Sequence, residues 1–214
     1  QVLSSAASDV YKRQGGDGFV LADSSNTNDG IYAIGGNVTI LNNSNNTNDT
    51  IALGGTGGDI DISALELQHI YATQLNIGNS TNTNKNVTVE GISATNSTNI
   101  DTVVINALDN DAKVIFENAP STFNELIVNA DAGIHVNSDI TVNTGVLTLD
   151  ADADNALDTA TNALKIDASL TSSNGGKITL ESTTGSISNN LATSTPTINT
   201  SSGNGDIAFN SPIS

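Results

Sequence analysis

Residues 125–149 alternate apolar and polar side chains with a period of two, in four short runs separated by brief turns. The paired apolar residues are Leu126 and Val128, Ile134 and Val136, Ile140 and Val142, and Leu147 and Leu149. A period of two places each pair on one face of a β-strand. The Asn, Thr, Val and Gly residues that fill much of the stretch are poor helix formers. The stretch therefore predicts four consecutive short strands.

The same pattern recurs along the chain, as a small residue followed by two apolar residues at alternate positions. The frames are Gly36–Ile40, Gly58–Ile62, Ala112–Phe116, Ser138–Val142, Gly145–Leu149, Gly176–Leu180 and Gly205–Phe209. Their uneven spacing argues against a strict short-repeat solenoid. A coil buries its aliphatic row only by stacking on the next coil, about 4.8 Å away. We therefore predict an all-β fold, a right-handed parallel β-helix (solenoid) of roughly ten coils, with turn Asn residues stacked between coils.

An internal repeat suggests the length of one coil. Asn26–Gly36 is echoed by Asn46–Gly55, so the copies are offset by 46 − 26 = 20 residues, and Asn82–Val89 is a weaker third copy. A period near 20 residues is typical of solenoids in which each repeat forms one structural unit. We therefore expect coils of roughly 20 residues.

The sequence divides into an amino-terminal segment and one repetitive region. Residues 9–14, Asp-Val-Tyr-Lys-Arg-Gln, resemble the translation of a transposon-end adapter used in sequencing libraries. We interpret 1–14 as a non-native, adapter-derived segment and 15–214 as a single β-helix fragment from the interior of a longer protein. The Ala-rich segment 151–163 lacks alternation and predicts a loop excursion or short helical turn.

Composition excludes several classes of function. The net charge of −17 gives no electrostatic support for binding nucleic acid or an anionic membrane. The chain has no cysteine, which excludes disulfides, zinc thiolate sites and thiol nucleophiles. No apolar run approaches the ~18 residues of a membrane helix, so we expect no membrane insertion. Aromatic residues make up 3%, so the core must be aliphatic.

Three segments resemble the repeats of filamentous-haemagglutinin-type exoproteins, which follow two-partner secretion, and of related autotransporter passengers. They are Gly36–Ile40, Gly176–Ile187 and Gly203–Phe209. The resemblance implies a β-helical shaft of a large adhesin, secreted or displayed on the surface of a Gram-negative-type bacterium. It also implies an outer-membrane transporter during export. Host or neighbouring-cell receptors or glycans would be bound by regions outside this fragment.

Two motifs are candidate calcium sites. Asp150, Asp152 and Asp154 offer carboxylates at alternate positions, as a loop that binds a hard cation requires. The sixth position of that loop is Asn155 rather than Gly. Gly54–Asp59 begins like a calcium-binding nonapeptide repeat, but it has no tandem copy. The sequence predicts Asp150, Asp152 and Asp154 as the metal ligands, and a calcium-binding secreted repeat protein is one alternative function.

No segment contains a convincing catalytic constellation, so we expect a non-enzyme. His135, Ser138 and Asp139 are triad residue types, but a triad is recognised by geometry, and alternation places His135 toward solvent. A β-helical polysaccharide-acting enzyme is the other alternative, since such enzymes use paired carboxylates. Candidate pairs are Asp59 with Asp61 and Asp109 with Asp111. Repeated Ile and Val alternation argues against a disordered chain.

Overall fold

The fold was analysed in a computed structural model of the chain. The structure describes residues 10–12, 30–41, 49–78, 85–158, 162–189, 195–200 and 205–211. Strands dominate these residues, and every pairing between two strands is parallel. The strands form three sheets.

The largest sheet has eight strands. In spatial order they are β1 (Val10–Lys12), β2 (Ile31–Ile40), β5 (Ile70–Ile77), β7 (Ile100–Ala107), β10 (Glu125–Ala130), β13 (Leu147–Asp150), β16 (Ile178–Glu181) and β19 (Ile207–Phe209). Apart from β1, which precedes β2, neighbours in this sheet are separated along the chain by strands of the other sheets. The sheet therefore forms one long face of a solenoid.

The second sheet has seven strands and the third has four. The second contains β17 (Ile187–Ser188), β14 (Leu164–Ile166), β11 (Ile134–Val136), β8 (Lys113–Phe116), β6 (Asn86–Val89), β3 (Ile51–Gly54) and β4 (Ile60–Ser63). The third contains β18 (Ile198–Thr200), β15 (Leu170–Ser172), β12 (Ile140–Val142) and β9 (Ser121–Phe123). Two short helices, α1 (Ala64–Leu67) and α2 (Ala94–Ser97), complete the described elements.

From β7 onward the chain visits the three sheets in turn, which is the winding of a parallel β-helix. From β10 it passes to β11 in the second sheet, to β12 in the third, and then to β13, which pairs with β10. The predicted all-β solenoid and all four strands predicted in 125–149 are therefore confirmed. The eight apolar side chains predicted to face inward there are each 0% exposed.

The core is a set of aliphatic rows that run from coil to coil along the solenoid. One row of the first sheet follows the register of its strands through Leu75, Val103, Leu126, Leu147 and Ile178. Every side chain in this row is buried. Burial stabilises by roughly 25 cal/mol per Å² of apolar surface, and each coil supplies surface that only its neighbours can cover.

The side of the solenoid that the third sheet forms is occupied by short helices in the earlier coils and by strands from β9 onward. α1 packs beside α2, and α2 packs beside β9. Each helix is a single turn with a capping box at its first residues: Ser63 Oγ accepts from the Glu66 N–H, and the Ser63 N–H donates to Glu66 Oε2. Ser93 and Asn96 form the corresponding box in α2. Among the described residues, no helix is long and apolar enough to cross a membrane.

The expected equivalence of one 20-residue repeat with one coil is wrong. Ile31 of the first copy pairs with Ile70, whereas Ile51 of the second copy pairs with Val87 and lies in another sheet. The two copies therefore follow one another within a coil; their first residues, Asn26 and Asn46, lie outside the described residues. Coil offsets range from 140 − 121 = 19 to 70 − 31 = 39 residues. With these larger coils, the longest sheet has eight strands, compared with the roughly ten coils expected.

The amino-terminal segment contributes one strand to the described structure. Val10–Lys12 pairs with β2 as the outermost strand of the first sheet. The other residues of 1–14 lie outside the described part of the chain. The adapter-derived origin of 1–14 stays a prediction, because strand pairing does not report the origin of a sequence.

Predicted Asn contacts between coils occur at the corners and outer faces of the helix. Asn124 Nδ2 donates to the Ile100 carbonyl at 2.9 Å, and Asn99 Nδ2 donates to the Gln68 carbonyl at 2.8 Å. Asn99 directly precedes β7 and Asn124 directly precedes β10. Equivalent corners of successive coils are therefore tied to the coil before by the same side-chain type.

Candidate functional site

Three carboxylates converge where the chain leaves the first sheet. Asp131 directly follows β10, while Asp154 and Asp158 lie in the segment 151–163 between β13 and β14. One carboxylate oxygen from each of the three residues lies within 4.8 Å of the others. We call these three residues the carboxylate cluster. It joins one coil to the long segment that leaves the next coil.

Asp131 is the buried member of the cluster, with 6% of its surface exposed. Its N–H donates to the Ala107 carbonyl at 2.9 Å, and its Oδ2 accepts from the Asp111 N–H at 2.8 Å. Burial raises the pKa of Asp131 to about 6, and repulsion from Asp158, Asp154 and Asp111 adds to the increase. The cluster therefore concentrates negative charge where desolvation already disfavours it.

Asp154 and Asp158 approach Asp131 from the outer side. Asp154 is exposed, and its Oδ1 accepts from the Ala156 N–H at 2.9 Å. Desolvation raises the pKa of Asp158, and the charge of Asp154 raises it further. Asp158 Oδ2 is buried and accepts no hydrogen bond. This oxygen lacks the donor that a buried carboxylate normally has.

The segment 151–163 is ten residues longer than the equivalent connection one coil earlier. That connection, 131–133, separates β10 from β11, so the lengths are 13 and 3 residues. The described residues of the segment, 151–158 and 162–163, contain no helix or strand. The extra length places Asp154 and Asp158 against Asp131.

The predicted ligands Asp150, Asp152 and Asp154 occupy three different environments. Asp150 ends β13, pairs in register with Glu181, and has a pKa raised mainly by burial. Asp152 is 0% exposed and accepts from Asn162 Nδ2 at 2.9 Å and from the Thr184 N–H. Only Asp154 of the three belongs to the carboxylate cluster. Calcium coordination by all three predicted residues stays a prediction.

Asn162 anchors the end of the segment, and 4% of its surface is exposed. Its Nδ2 faces three acceptors: Asp152 Oδ1 at 2.9 Å, the Ala156 carbonyl at 2.6 Å and Thr184 Oγ1 at 2.8 Å. The Asp152 carboxylate and the Ala156 carbonyl can only accept hydrogen bonds. The amide nitrogen of Asn162, rather than its oxygen, must therefore face them, which fixes the orientation of the amide. Asn162 Oδ1 is buried and has no hydrogen-bond donor.

The glycine-rich motif Gly54–Asp59 forms the turn between β3 and β4. Asp59 Oδ2 accepts from the N–H and the hydroxyl of Thr50, both at 2.9 Å, and these bonds lower the pKa of Asp59. Asp61 Oδ1 accepts from the Gly58 N–H at 2.9 Å. Gly54 has φ of 90°, and a Cβ there would lie 1.9 Å from the Glu90 carbonyl oxygen. The backbone geometry and hydrogen bonds of this turn therefore account for the Gly and Asp residues of the motif.

The triad-type residues near 135–139 have separate environments. His135 is half-buried on the outer face of β11, and its pKa is lowered first by burial and then by Lys113 and Lys165. Asp139 Oδ1 accepts from the Ser169 N–H at 2.8 Å. The two residues therefore have different neighbours.

The two residues of the second carboxylate pair, Asp109 and Asp111, also have different partners. Asp109 lies 4.0 Å from the Lys85 ammonium, whereas the Asp111 N–H donates to Asp131. Asp111 has φ of 64°, a left-handed backbone conformation that Asp adopts more readily than most residues. The pair therefore contributes one residue to an ion pair and the other to the surroundings of the cluster.

Sequence reasoning missed Asp131 and Asp158. Asp131 is 154 − 131 = 23 residues from Asp154, roughly one coil, and no local spacing rule connects them. A repeat alignment that placed β10 beneath β13 would have brought Asp131 near the segment 151–163. Comparison with protein-family models, curated proteins and solved structures gives no match to this chain.

Proposed function

We propose that the chain is a structural, non-catalytic shaft segment of a large bacterial adhesin that is secreted or displayed on the cell surface. The observation that carries the proposal is the continuous stack of parallel coils. Its core rows run along the solenoid axis, so the unit extends by adding coils without changing its cross-section. Such a unit serves to hold a distal binding region away from the cell.

The outer surface also supports a structural role. Outward positions of the strands hold Thr, Asn and other small polar residues, such as Thr148 and Thr179, which are register partners in adjacent coils. Repeated short polar side chains give these described strands an outer face of similar chemistry from coil to coil. We therefore assign recognition of receptors or glycans to other parts of the parent protein, and export to an outer-membrane transporter.

A β-helical polysaccharide-acting enzyme is the second candidate, and the carboxylate cluster is the observation that favours it. Glycosidases pair a protonated carboxylic acid with an ionised carboxylate about 5–10 Å away. Asp131, with a pKa raised to about 6, and exposed Asp154 are two carboxylates whose oxygens lie within 4.8 Å of each other, near the shorter of these spacings. The low aromatic content of 3% weighs against sugar binding, because stacking platforms are usually aromatic.

The reading frame that surrounds this chain in its source DNA tests the proposal. Long-read sequencing should show a signal peptide and a secretion module upstream, or a membrane barrel downstream. A neighbouring segment rich in Arg, aromatic residues and paired carboxylates would contradict the shaft assignment. Release of reducing sugars from bacterial or plant polysaccharides by the purified chain, lost in Asp131→Asn, would instead establish the enzyme.

A further inference from the structure

We propose that Asn174 is a site of spontaneous deamidation, in which the backbone nitrogen of Gly175 attacks the Asn174 side chain, and that the product loosens the stacking of the last described coils. The two residues lie in the turn that connects β15 with β16. The reactivity comes from this turn and does not depend on the shaft assignment.

The side chain of Asn174 is free to rotate. Asn174 is exposed, and among the described residues no group forms a hydrogen bond with its amide. The buried amide of Asn162, by comparison, donates to three acceptors and is fixed by them. An unrestrained Asn side chain can turn its Cγ toward the backbone nitrogen of the next residue.

The backbone nitrogen of Gly175 is open to the reaction. Gly175 has φ of 71° and carries no Cβ, so its own side chain does not hinder approach to the nitrogen. In the described part of the chain, no acceptor takes a hydrogen bond from the Gly175 N–H. The attacking atom and the amide that it attacks are therefore both unengaged.

Two other exposed asparagines provide internal comparisons. Asn155 is exposed, but the N–H of the following residue, Ala156, donates to a carboxylate oxygen at 2.9 Å. Asn137 is exposed and is followed by Ser138, which is buried and carries a Cβ. Neither asparagine has the unhindered and unbonded neighbouring nitrogen that follows Asn174.

The reaction replaces ammonia by water and needs no oxidant or reductant. The Gly175 nitrogen forms a bond to Asn174 Cγ while the Cγ–Nδ2 bond breaks, and ammonia leaves with the proton of the Gly175 N–H. Water then opens the cyclic succinimide. Cleavage of the bond from nitrogen to Cγ gives Asp in a normal backbone. Cleavage of the bond to the backbone carbonyl carbon gives isoaspartate, whose main chain runs through the side chain.

The turn is closely stacked on the equivalent turns of both neighbouring coils. A Cβ on Gly176 would overlap the Gly145 carbonyl oxygen, and a Cβ on Gly205 would lie 2.5 Å from the Gly175 carbonyl oxygen. Isoaspartate adds a methylene group to the main chain directly before Gly175. The Gly175 carbonyl must then move, which disturbs the turn at Gly205 and the strand β19 that follows it.

Peptide mapping of the purified 214-residue chain tests the reaction. The folded protein is warmed at mildly alkaline pH, sampled over time and digested with trypsin. The peptide Ile166–Lys177 contains Asn174 as its single asparagine, so the mass of this peptide reports the site directly. We expect Asn174 to convert before Asn137 and Asn155, at a rate that rises with pH because the attacking nitrogen must lose its proton. Enzymatic methylation by an isoaspartate methyltransferase identifies the isoaspartate product.

Two results would overturn the proposed site. Conversion of Asn174 in urea but not in the folded chain would show that the turn protects the residue. Conversion of Asn137 or Asn155 in the folded chain before Asn174 would show that the free amide and the open nitrogen do not determine reactivity.

Thermal melting of aged protein tests the loosening of the coils. The aged parent should have a lower Tm than the fresh parent, and aged Asn174→Gln should lose less, because a Gln side chain closes the ring less readily. Fresh Asn174→Asp should melt close to the fresh parent, since it has the charge of the product in a normal main chain. A parent that carries isoaspartate at position 174 and melts like the fresh chain would overturn the proposed loosening.

Discussion

Asn129 donates a hydrogen bond from Nδ2 to Oδ1 of Asn106 at 2.8 Å, across two adjacent coils. The residues are register partners in β10 and β7, and both are half-buried on the outer face of the largest sheet. Their amides therefore continue the backbone hydrogen bonding between strands with a side-chain bond parallel to it.

Replacing Asn129 with Ala should lower the free energy of unfolding by about 1 kcal/mol, because a typical intramolecular hydrogen bond contributes about that much. Chemical denaturation followed by far-UV circular dichroism measures the change. Asn137→Ala is the control, since Asn137 is exposed and follows β11. An equal loss of stability in both variants would mean that the contact between coils contributes nothing specific.

A charge placed in the core should unfold several coils. Ile140 is 0% exposed and lies between Ser121 and Leu170 in the third sheet. Ile140→Asp combines loss of aliphatic packing, about 2–5 kcal/mol, with the cost of a buried unpaired carboxylate. Leu147→Asp should behave in the same way. Thr141→Asp, whose side chain lies on the outer face, should melt close to the parent; equal melting of all variants would show that the inward register is wrong.

Asp131 should make the metal-free protein more stable as the pH falls from 7 to 5. Its folded-state pKa is raised from 3.8 to about 6, so its charged form destabilises the fold above pH 6, and protonation relieves that cost. The expected gain is about 1 kcal/mol over this window. The facing acidic groups are Asp111, Asp154 and Asp158.

Comparison with Asp131→Asn isolates this effect, with EGTA present throughout. His135 opposes the trend, because its lowered pKa makes its protonation cost stability as the pH falls, but His135 is present in both proteins. Urea denaturation measures the free energy of unfolding at pH 7 and pH 5. As the pH falls between these values, this free energy should rise less, or fall more, for Asp131→Asn than for the parent. Identical pH dependence in the two proteins would show that Asp131 titrates normally.

Strand positions were predictable because alternation is a local property. The pairs around Leu126 and Leu147 identified strands whose inward residues are all buried. The order in which strands stack was not predictable, because it depends on connection lengths, and the copies beginning near Ile31 and Ile51 fall in different sheets. The helix α1 was missed, although Ser63 and Glu66 carry the spacing of a capping box.

The candidate site was only partly predictable for the same reason. Asp154 belongs to an acidic run that is visible in the sequence, whereas Asp131 reaches it only through the stacking of β10 and β13. The orphaned oxygens of Asp158 and Asn162 depend on side-chain packing, which no spacing rule reports.

The most direct test of the β-helix is a disulfide between register partners in adjacent coils. Thr148 and Thr179 are partners in β13 and β16, and the natural chain has no cysteine to interfere. Register partners of neighbouring strands lie about 5 Å apart, within reach of a disulfide. We expect the Thr148→Cys, Thr179→Cys variant to cross-link on mild oxidation, as measured by thiol titration and peptide mass spectrometry. The Thr148→Cys, Thr171→Cys control, with its cysteines on different sheets, should keep both thiols free. Absence of the first disulfide, or equal cross-linking of the control, would contradict the parallel stacking of coils.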